Sequence, residues 1–183
     1  AKVVKGQKWI KRVSAEMGGK DAIVVDSEAD LDAASTGVVS SAFGFQGQKC
    51  SACSRAIIVA DVYDEMLKLI VEKAKKITVG PTQDQKNSMG PVVNKKAFES
   101  ISEYIEIGKK EGRLLLGGEK YDGEGYFIRP TIIADIKPGA RIEQEEIFGP
   151  VLAVIKARDF DHALEIANDT DYGLTGAAYS RNH

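Results

Sequence analysis

The stretch F-G-F-Q-G-Q-K-C-S-A-C-S-R (residues 43–55) joins an apolar helical pattern, which ends near Phe45, to the β-branched run of residues 56–59. Gly44 and Gly47 allow backbone angles that other residues resist, so the chain can bend sharply here and let another molecule approach closely. Cys50 lies on this glycine-framed turn. A thiol held on a turn between two regular elements is well placed to act as a nucleophile, and we predict that role for Cys50.

Two further glycine motifs accompany this turn, and they matter because a lone cysteine is more often a small buried side chain than a catalyst. Upstream, A-E-M-G-G-K (residues 15–20) opens an apolar run, and downstream E-E-I-F-G-P (residues 145–150) opens another. Three such motifs, each at the edge of a predicted strand, indicate one site built on an α/β scaffold.

The periodicity of the apolar residues predicts alternating strands and helices. Strands are predicted over residues 22–25, 56–60, 114–116, 126–133, 151–155 and 174–179, and helices over 31–45, 62–77, 94–108 and 160–167. Residues 27–30, Asp61 and Asn94 are the predicted helix caps. Pro130 favours an edge position for its strand. Strands that alternate with helices of this length predict an open, mostly parallel sheet with helices on both faces.

Composition excludes several classes of function. The net charge is -2, from 25 basic and 27 acidic residues, which argues against a nucleic-acid partner. The chain contains no apolar run long enough to span a bilayer, and its two cysteines cannot form a secreted disulfide framework. We therefore expect no membrane partner, a reducing compartment and a cytoplasmic location. A chain of 183 residues suits one domain.

The three motifs in this order resemble the catalytic domain of the NAD(P)-dependent aldehyde dehydrogenase superfamily, and the resemblance covers nearly the whole chain. G-Q-K-C-S-A-C-S-R (residues 47–55) and Y-G-L-T-G-A (residues 172–177) are most similar to the members that oxidise the γ-semialdehyde of glutamate to glutamate in proline catabolism. The resemblance implies that residues 1–183 are the thiol-bearing catalytic domain, incomplete at both ends, with most of the cofactor-binding domain outside this chain. It follows that the fragment alone is inactive, and that the whole protein is a homo-oligomer.

The resemblance also assigns roles to residues. Cys50 would attack the aldehyde to form a thiohemiacetal, which loses hydride to leave a thioester, and Glu16 would activate the water that cleaves the thioester. Glu146 and Phe148 match positions that contact the cofactor ribose and the nicotinamide. The expected cofactor is NAD, with NADP not excluded. The chain contains no G-x-G-x-x-G or P-loop pattern, so most cofactor contacts should lie elsewhere.

Recognition of a small-molecule aldehyde substrate is assigned to Ser51, Gly176 and Ala177, whose hydroxyl and backbone N–H groups could bind the α-carboxylate of glutamate semialdehyde. Blander interpretations exist for most site residues. Glu16 could be a solvated strand-edge acid, Phe148 could belong to the core, Glu146 could cap a turn, and Gly176 could relieve strand crowding.

Two alternatives of other classes remain open. Cys50 and Cys53 form a C-x-x-C, as in thiol-disulfide oxidoreductases or half of a zinc site, although zinc would need further ligands and the chain has only two histidines. The other alternative is that this chain does no chemistry by itself and is a folded part with exposed apolar surface.

Overall fold

The computed structural model describes residues 6, 12–119, 121 and 123–182, and these contain one six-stranded sheet. In chain order the strands are β1 (Asp21–Val25), β2 (Cys53–Val59), β3 (Arg113–Leu116), β4 (Thr131–Ala134), β5 (Val151–Ala157) and β6 (Gly176–Tyr179). Their order across the sheet is β3-β4-β5-β2-β1-β6, and every neighbouring pair is parallel except β3 with β4. The predicted mostly parallel sheet is confirmed.

Helices cover both faces of the sheet, as the alternation of elements predicted. They are α1 (Leu31–Phe43), α2 (Tyr63–Ala74), α3 (Lys95–Glu111), α4 (Arg141–Gln144) and α5 (Phe160–Asn168). Successive side chains of β1 point to opposite faces, so Ile23 packs in the cluster that contains α1 and α2, whereas Val24 packs in the cluster that contains α3, α4 and α5. The central parallel strands β1, β2 and β5 are buried on both faces, as is typical of strands covered by helices on both sides.

Helix caps were predicted correctly in two of three places. Asp30, the last residue of the predicted cap segment, accepts a hydrogen bond from the N–H of Ala33 at 3.1 Å, and Asn94 accepts one from Ala97 at 2.9 Å. The prediction for Asp61 was wrong. Asp61 lies within a short 3₁₀ turn that precedes α2, and α2 begins without a side-chain cap.

The edge position predicted from Pro130 was also wrong. β4 begins at Thr131, directly after the proline, and lies between β3 and β5. The missing N–H of Pro130 is therefore outside the ladder, and the first N–H that the strand needs, that of Thr131, donates to the carbonyl of Pro150 at 2.9 Å. The four-residue helix α4 was not predicted, because one turn is too short to show a period.

The direction of the strands places the sequence motifs along one side of the sheet, where the amino-terminal ends of the parallel strands lie. Residues 15–20 precede β1, residues 43–52 precede β2, residues 145–150 precede β5, and residues 172–175 precede β6. Since these four strands are parallel, their amino-terminal ends meet at the same edge. In the part of the chain that the structure describes, no helix has the length and apolar character needed to cross a membrane.

Candidate active site

The turn that carries Cys50 is tightly wound. After α1 ends at Phe43, Phe45, Gln46 and Gly47 take φ values of 54°, 59° and 66°, which turn the chain back toward the sheet. Left-handed angles are uncommon for residues other than glycine and often accompany functional sites. Cys50 follows at the end of this reversal, half-buried, three residues before the start of β2.

Glycines bring the three motifs into backbone contact. A Cβ atom at Gly19 would overlap the carbonyl oxygen of Cys50, so the first motif in the chain (residues 15–20) lies directly against the turn that carries Cys50. A Cβ atom at Gly47 would likewise overlap the carbonyl oxygen of Gly149. The cysteine turn is therefore also in contact with the third motif in the chain (residues 145–150). Only glycine permits approaches this close, which accounts for Gly19 and Gly47.

An open cleft of about 550 Å³ lies where the motifs meet. Five of the seven predicted site residues line it, namely Glu16, Cys50, Ser51, Glu146 and Phe148. Glu16, Ser51 and Phe148 are exposed, while Cys50 and Glu146 are half-buried. The fold therefore brings a thiol, two carboxylates and an aromatic ring to one concave surface. The residues that carry these groups are up to 132 positions apart in the chain (148 minus 16).

Glu146 and Phe148 alternate with a core residue. Ile147 between them is 7% exposed and packs under the sheet, so its two neighbours point into the cleft. The carboxylate oxygen Oε1 of Glu146 accepts a hydrogen bond from the N–H of Gly19 at 2.9 Å. Phe148 has a left-handed φ of 56° and its side chain is 45% exposed. The interpretation of Phe148 as a core residue is therefore wrong.

Gly176 and Ala177 lie elsewhere. They belong to β6, where they stand opposite Ala22 and Ile23 of β1, and they line a separate cleft of about 510 Å³ that shares no lining residue with the first. They do not line the cleft of Cys50, and their predicted part in carboxylate binding stays a prediction. A Cβ atom at Gly176 would find its nearest neighbour at an ordinary 3.5 Å, so crowding does not explain this glycine either.

Comparison with known proteins identifies the family. The model of the aldehyde dehydrogenase family matches residues 2–183. The chain belongs to this family.

The relatives of this aldehyde dehydrogenase chain include curated 1-pyrroline-5-carboxylate dehydrogenases. Those of Geobacillus kaustophilus and Bacillus subtilis are 66% and 59% identical over 182 residues, which cover 100% of this chain and 35% of each relative. The crystal structure of 1-pyrroline-5-carboxylate dehydrogenase from Thermus with bound NAD is 53% identical, with a TM-score of 0.91, over 100% of this chain and 35% of that one. This chain thus spans about a third of the length of the relatives it matches.

More distant members of the aldehyde dehydrogenase family share the fold. Betaine aldehyde dehydrogenase from Staphylococcus aureus in complex with NAD⁺ is 33% identical with a TM-score of 0.87, covering 91% of this chain and 34% of that one. Together with the sheet described above, these matches confirm the predicted family and fold class.

Cys53 differs from Cys50 in a way that fits an aldehyde dehydrogenase better than a dithiol enzyme. Cys53 lies in β2, 3% exposed, and its thiol donates to the carbonyl of Arg55 at 3.4 Å. Burial raises the pKa of Cys53 to about 12, so it remains a thiol at neutral pH and is not available as a thiolate for exchange. Both cysteines are free, and within residues 6, 12–119, 121 and 123–182 no cluster of His, Cys, Asp and Glu could hold a metal ion.

A buried charged network, which the sequence analysis missed, lies directly behind the cleft of this aldehyde dehydrogenase chain. Arg55 pairs with Glu143 at 2.7 Å, with both side chains at most 2% exposed, and its guanidinium also donates to the carbonyl groups of Lys20, Ile166 and Ala167 at 2.9 to 3.0 Å. The last two carbonyls end α5, where a cation is favoured. The sequence offers one signal, an arginine that directly precedes the apolar run of residues 56–59.

Lys20 completes the network. Its side chain is buried, and its Nζ donates to the carbonyl oxygen of Glu145 at 2.8 Å. Burial, together with the nearby charge of Arg55, lowers the pKa of Lys20 to about 7. The network therefore joins the first motif, β2, α4 and α5 into one polar layer below the cleft.

Proposed function

We propose that residues 1–183 are the thiol-bearing catalytic domain of a longer NAD-dependent aldehyde dehydrogenase, which oxidises L-glutamate γ-semialdehyde, formed from 1-pyrroline-5-carboxylate, to L-glutamate in proline catabolism. The observation that carries this proposal is the shared cleft of Cys50, Glu16 and Glu146. The identity to 1-pyrroline-5-carboxylate dehydrogenases of up to 66% over the whole chain supports the choice of substrate.

The cleft residues supply the thiol nucleophile and the base that the reaction needs. Cys50 as a thiolate attacks the aldehyde carbon and forms a C–S bond, which makes that carbon tetrahedral. When bound, NAD accepts the hydride that this carbon releases, and a thioester to Cys50 remains. Glu16 removes a proton from water, the water oxygen attacks the thioester carbon, and cleavage of the C–S bond releases the acid and the Cys50 thiolate.

The cofactor role falls to the third motif. The carboxylate oxygens of Glu146 can accept hydrogen bonds from ribose hydroxyls, and the exposed ring of Phe148 offers an apolar surface to the nicotinamide. Both side chains face the cleft, so the residues present fit the cofactor. Most cofactor contacts are assigned to the part of the protein outside this chain, and for that reason we propose that the fragment alone is inactive.

Substrate recognition within this chain is assigned to Ser51. Its hydroxyl is exposed on the cleft next to Cys50, where it can donate to the α-carboxylate of glutamate semialdehyde. Gly176 and Ala177 were predicted to share this task, but they line the other cleft, so the proposal depends on Ser51. Assembly of the whole protein as a homo-oligomer and its cytoplasmic location remain predictions.

The decisive experiment is NAD-dependent oxidation of glutamate semialdehyde by the full-length protein, compared with residues 1–183 alone and with Cys50→Ala in the full-length protein. We expect turnover only by the unmodified full-length protein. Turnover that survives Cys50→Ala would disprove the assigned nucleophile. Activity of the full-length protein on another aldehyde but not on this one would overturn the substrate and leave the family unchanged.

Ser51→Ala tests the substrate class separately. It should raise KM for glutamate semialdehyde about tenfold, because a hydrogen bond to a charged group is lost, while KM for a simple aliphatic aldehyde changes little. Equal losses on both aldehydes would show that Ser51 does not recognise the carboxylate.

A further inference from the structure

Two hydrogen bonds clamp the third motif onto the first at adjacent residues. The N–H of Gly19 donates to the carboxylate of Glu146 at 2.9 Å, and the Nζ of the next residue, Lys20, donates to the carbonyl oxygen of Glu145 at 2.8 Å. The second bond fixes the peptide unit that joins Glu145 to Glu146. The two bonds together determine both where the backbone of Glu146 lies and where its carboxylate points.

Glu145 is held from its other side as well. Its carboxylate accepts two hydrogen bonds from Arg141, at 2.7 and 2.9 Å, and a third from the hydroxyl of Tyr104 at 2.7 Å. These contacts lower the pKa of Glu145 to about 2, so it is ionised at neutral pH and keeps its partners. Of two neighbouring glutamates, one is therefore committed to structure and the other faces the cleft.

The anchor at Lys20 is itself rigid. Lys20 is 1% exposed, and its own carbonyl oxygen accepts a hydrogen bond from Nε of Arg55 at 2.9 Å. Burying an ammonium group is costly unless its hydrogen bonds are satisfied, and apolar packing alone would be served by a residue such as methionine. The buried lysine is accounted for if its Nζ is needed at the carbonyl of Glu145.

We propose that Lys20 is a positioning residue, which acts through the carbonyl of Glu145 to hold the Glu146 carboxylate in the orientation that binds the cofactor ribose. The inference rests on the proposed cofactor role of Glu146. Lys20 does not line the cleft of Cys50, so its loss should weaken cofactor binding and spare the chemistry of Cys50.

The test uses the full-length protein with Lys20→Met, which keeps the length of the side chain and removes the donor. We expect the Kd and KM of NAD to rise about tenfold, while kcat at saturating NAD and the rate of Cys50 alkylation by iodoacetamide change less than about twofold. The matched control is Lys73→Met, because Lys73 also donates its Nζ to a backbone carbonyl, that of Asp32, but does so between α2 and α1, away from the cleft. The control should leave the Kd of NAD unchanged.

A double-mutant cycle separates positioning from a general loss of structure. If Lys20 acts through Glu146, Lys20→Met should change the Kd of NAD by less than about twofold once Glu146→Ala is present, because the group being positioned is gone. A full tenfold loss on top of Glu146→Ala, or equal losses from Lys20→Met and Lys73→Met, would overturn the inference.

Failure of the proposed function gives a different result. If the unmodified full-length protein bound no NAD, or if Glu146→Ala left the Kd of NAD unchanged, the cofactor role of Glu146 would be disproved, and the role of Lys20 with it. If Glu146→Ala weakens NAD binding but Lys20→Met does not, only the positioning role is wrong. A Lys20→Met protein that does not fold is replaced by Lys20→Gln, which retains a donor but is too short to reach the same carbonyl, and the same outcomes apply.

Discussion

The cleft and the charged network behind it are built from the same stretches of sequence but treat their polar groups in opposite ways. In the cleft, Glu16, Ser51 and Phe148 are exposed. In the network, Lys20, Arg55 and Glu143 are at most 1% exposed, and each makes hydrogen bonds to the rest of the chain.

Residues of the two regions lie only a few positions apart in the chain. Glu16 and Lys20 are four residues apart, Cys50 and Arg55 are five apart, and Glu143 and Glu146 are three apart. In each of these pairs, one residue is anchored in the buried layer and the other lines the cleft. The comparison teaches that the reactive groups can remain open to solvent because a satisfied layer a few residues away fixes their positions.

The strongest test of this difference is to break the buried pair. Arg55→Met leaves the Glu143 carboxylate buried without its partner, and we expect the free energy of unfolding of the full-length protein to fall by about 3 to 5 kcal/mol. The matched control is Arg113→Met, since the pair of Arg113 with Asp135 has the same 2.7 Å distance but side chains 57% and 46% exposed. That change should cost less than about 1 kcal/mol in urea unfolding. Equal losses of unfolding free energy in the two variants would show that the buried pair stabilises the fold no more than the surface pair does.

A second test acts where the two regions touch. Gly19→Ala would place a methyl group against the carbonyl of Cys50, so we expect a loss of about 1 to 3 kcal/mol in the free energy of unfolding and a changed rate of Cys50 alkylation. Gly173→Ala is the control, because no atom lies within 4 Å of its would-be Cβ. If the two variants behaved alike, the contact between the first motif and the cysteine turn would not constrain the cleft.

The pH dependence of stability sharpens the comparison. The pKa of Lys20 falls from 10.5 to about 7 on folding, so between these values the unfolded chain binds more protons than the folded one, and stability rises with pH. Lys20 adds up to about 1.4 kcal/mol per pH unit to the slope of the unfolding free energy against pH. Below pH 7 it adds no slope, because it is charged in both the folded and the unfolded state. Lys20→Met should flatten this rise in urea unfolding at about pH 7 and about pH 9. A variant with an unchanged slope would show that another group is responsible.

The smallest effect is expected at the second cysteine. Cys53→Ser is nearly isosteric, and its hydroxyl can still donate to the carbonyl of Arg55, so turnover should stay within about a factor of two of the unmodified protein. Abolished turnover with a normal fold by circular dichroism would return the thiol-disulfide interpretation to consideration.

The sequence predicted the cleft far better than the network. The cleft residues lie in motifs that immediately precede parallel strands, so the strand direction alone brings them to one edge. The network depends on pairing between residues 20, 55 and 143, and nothing in a single sequence relates an arginine in one strand to a glutamate 88 positions later. Long-range partners of buried charges are a tertiary property.

Gly176 and Ala177, the two predicted site residues that do not line the Cys50 cleft, show a second limit of prediction from sequence. Gly176 and Ala177 belong to a motif that runs into a strand, whereas the other site residues precede their strands, and β6 lies at the end of the sheet, beyond β1. Whether a strand end reaches a given cleft depends on the order of strands, and the periodicity of apolar residues does not contain that order. Local errors such as the cap assigned to Asp61 have a simpler cause, since Asp61 lies only one residue before Val62, the observed cap position of α2.

The position of β6 beside β1 also has a consequence for biosynthesis. The partner for the outer edge of β1, residues 176–179, emerges from the ribosome about 150 residues after β1 itself (176 minus 25). Until then the backbone N–H and C=O groups on that edge, in a strand that is entirely apolar after Asp21, are open to pairing with another nascent chain. Translation speed and chaperone capture over this interval should therefore govern the yield of folded protein.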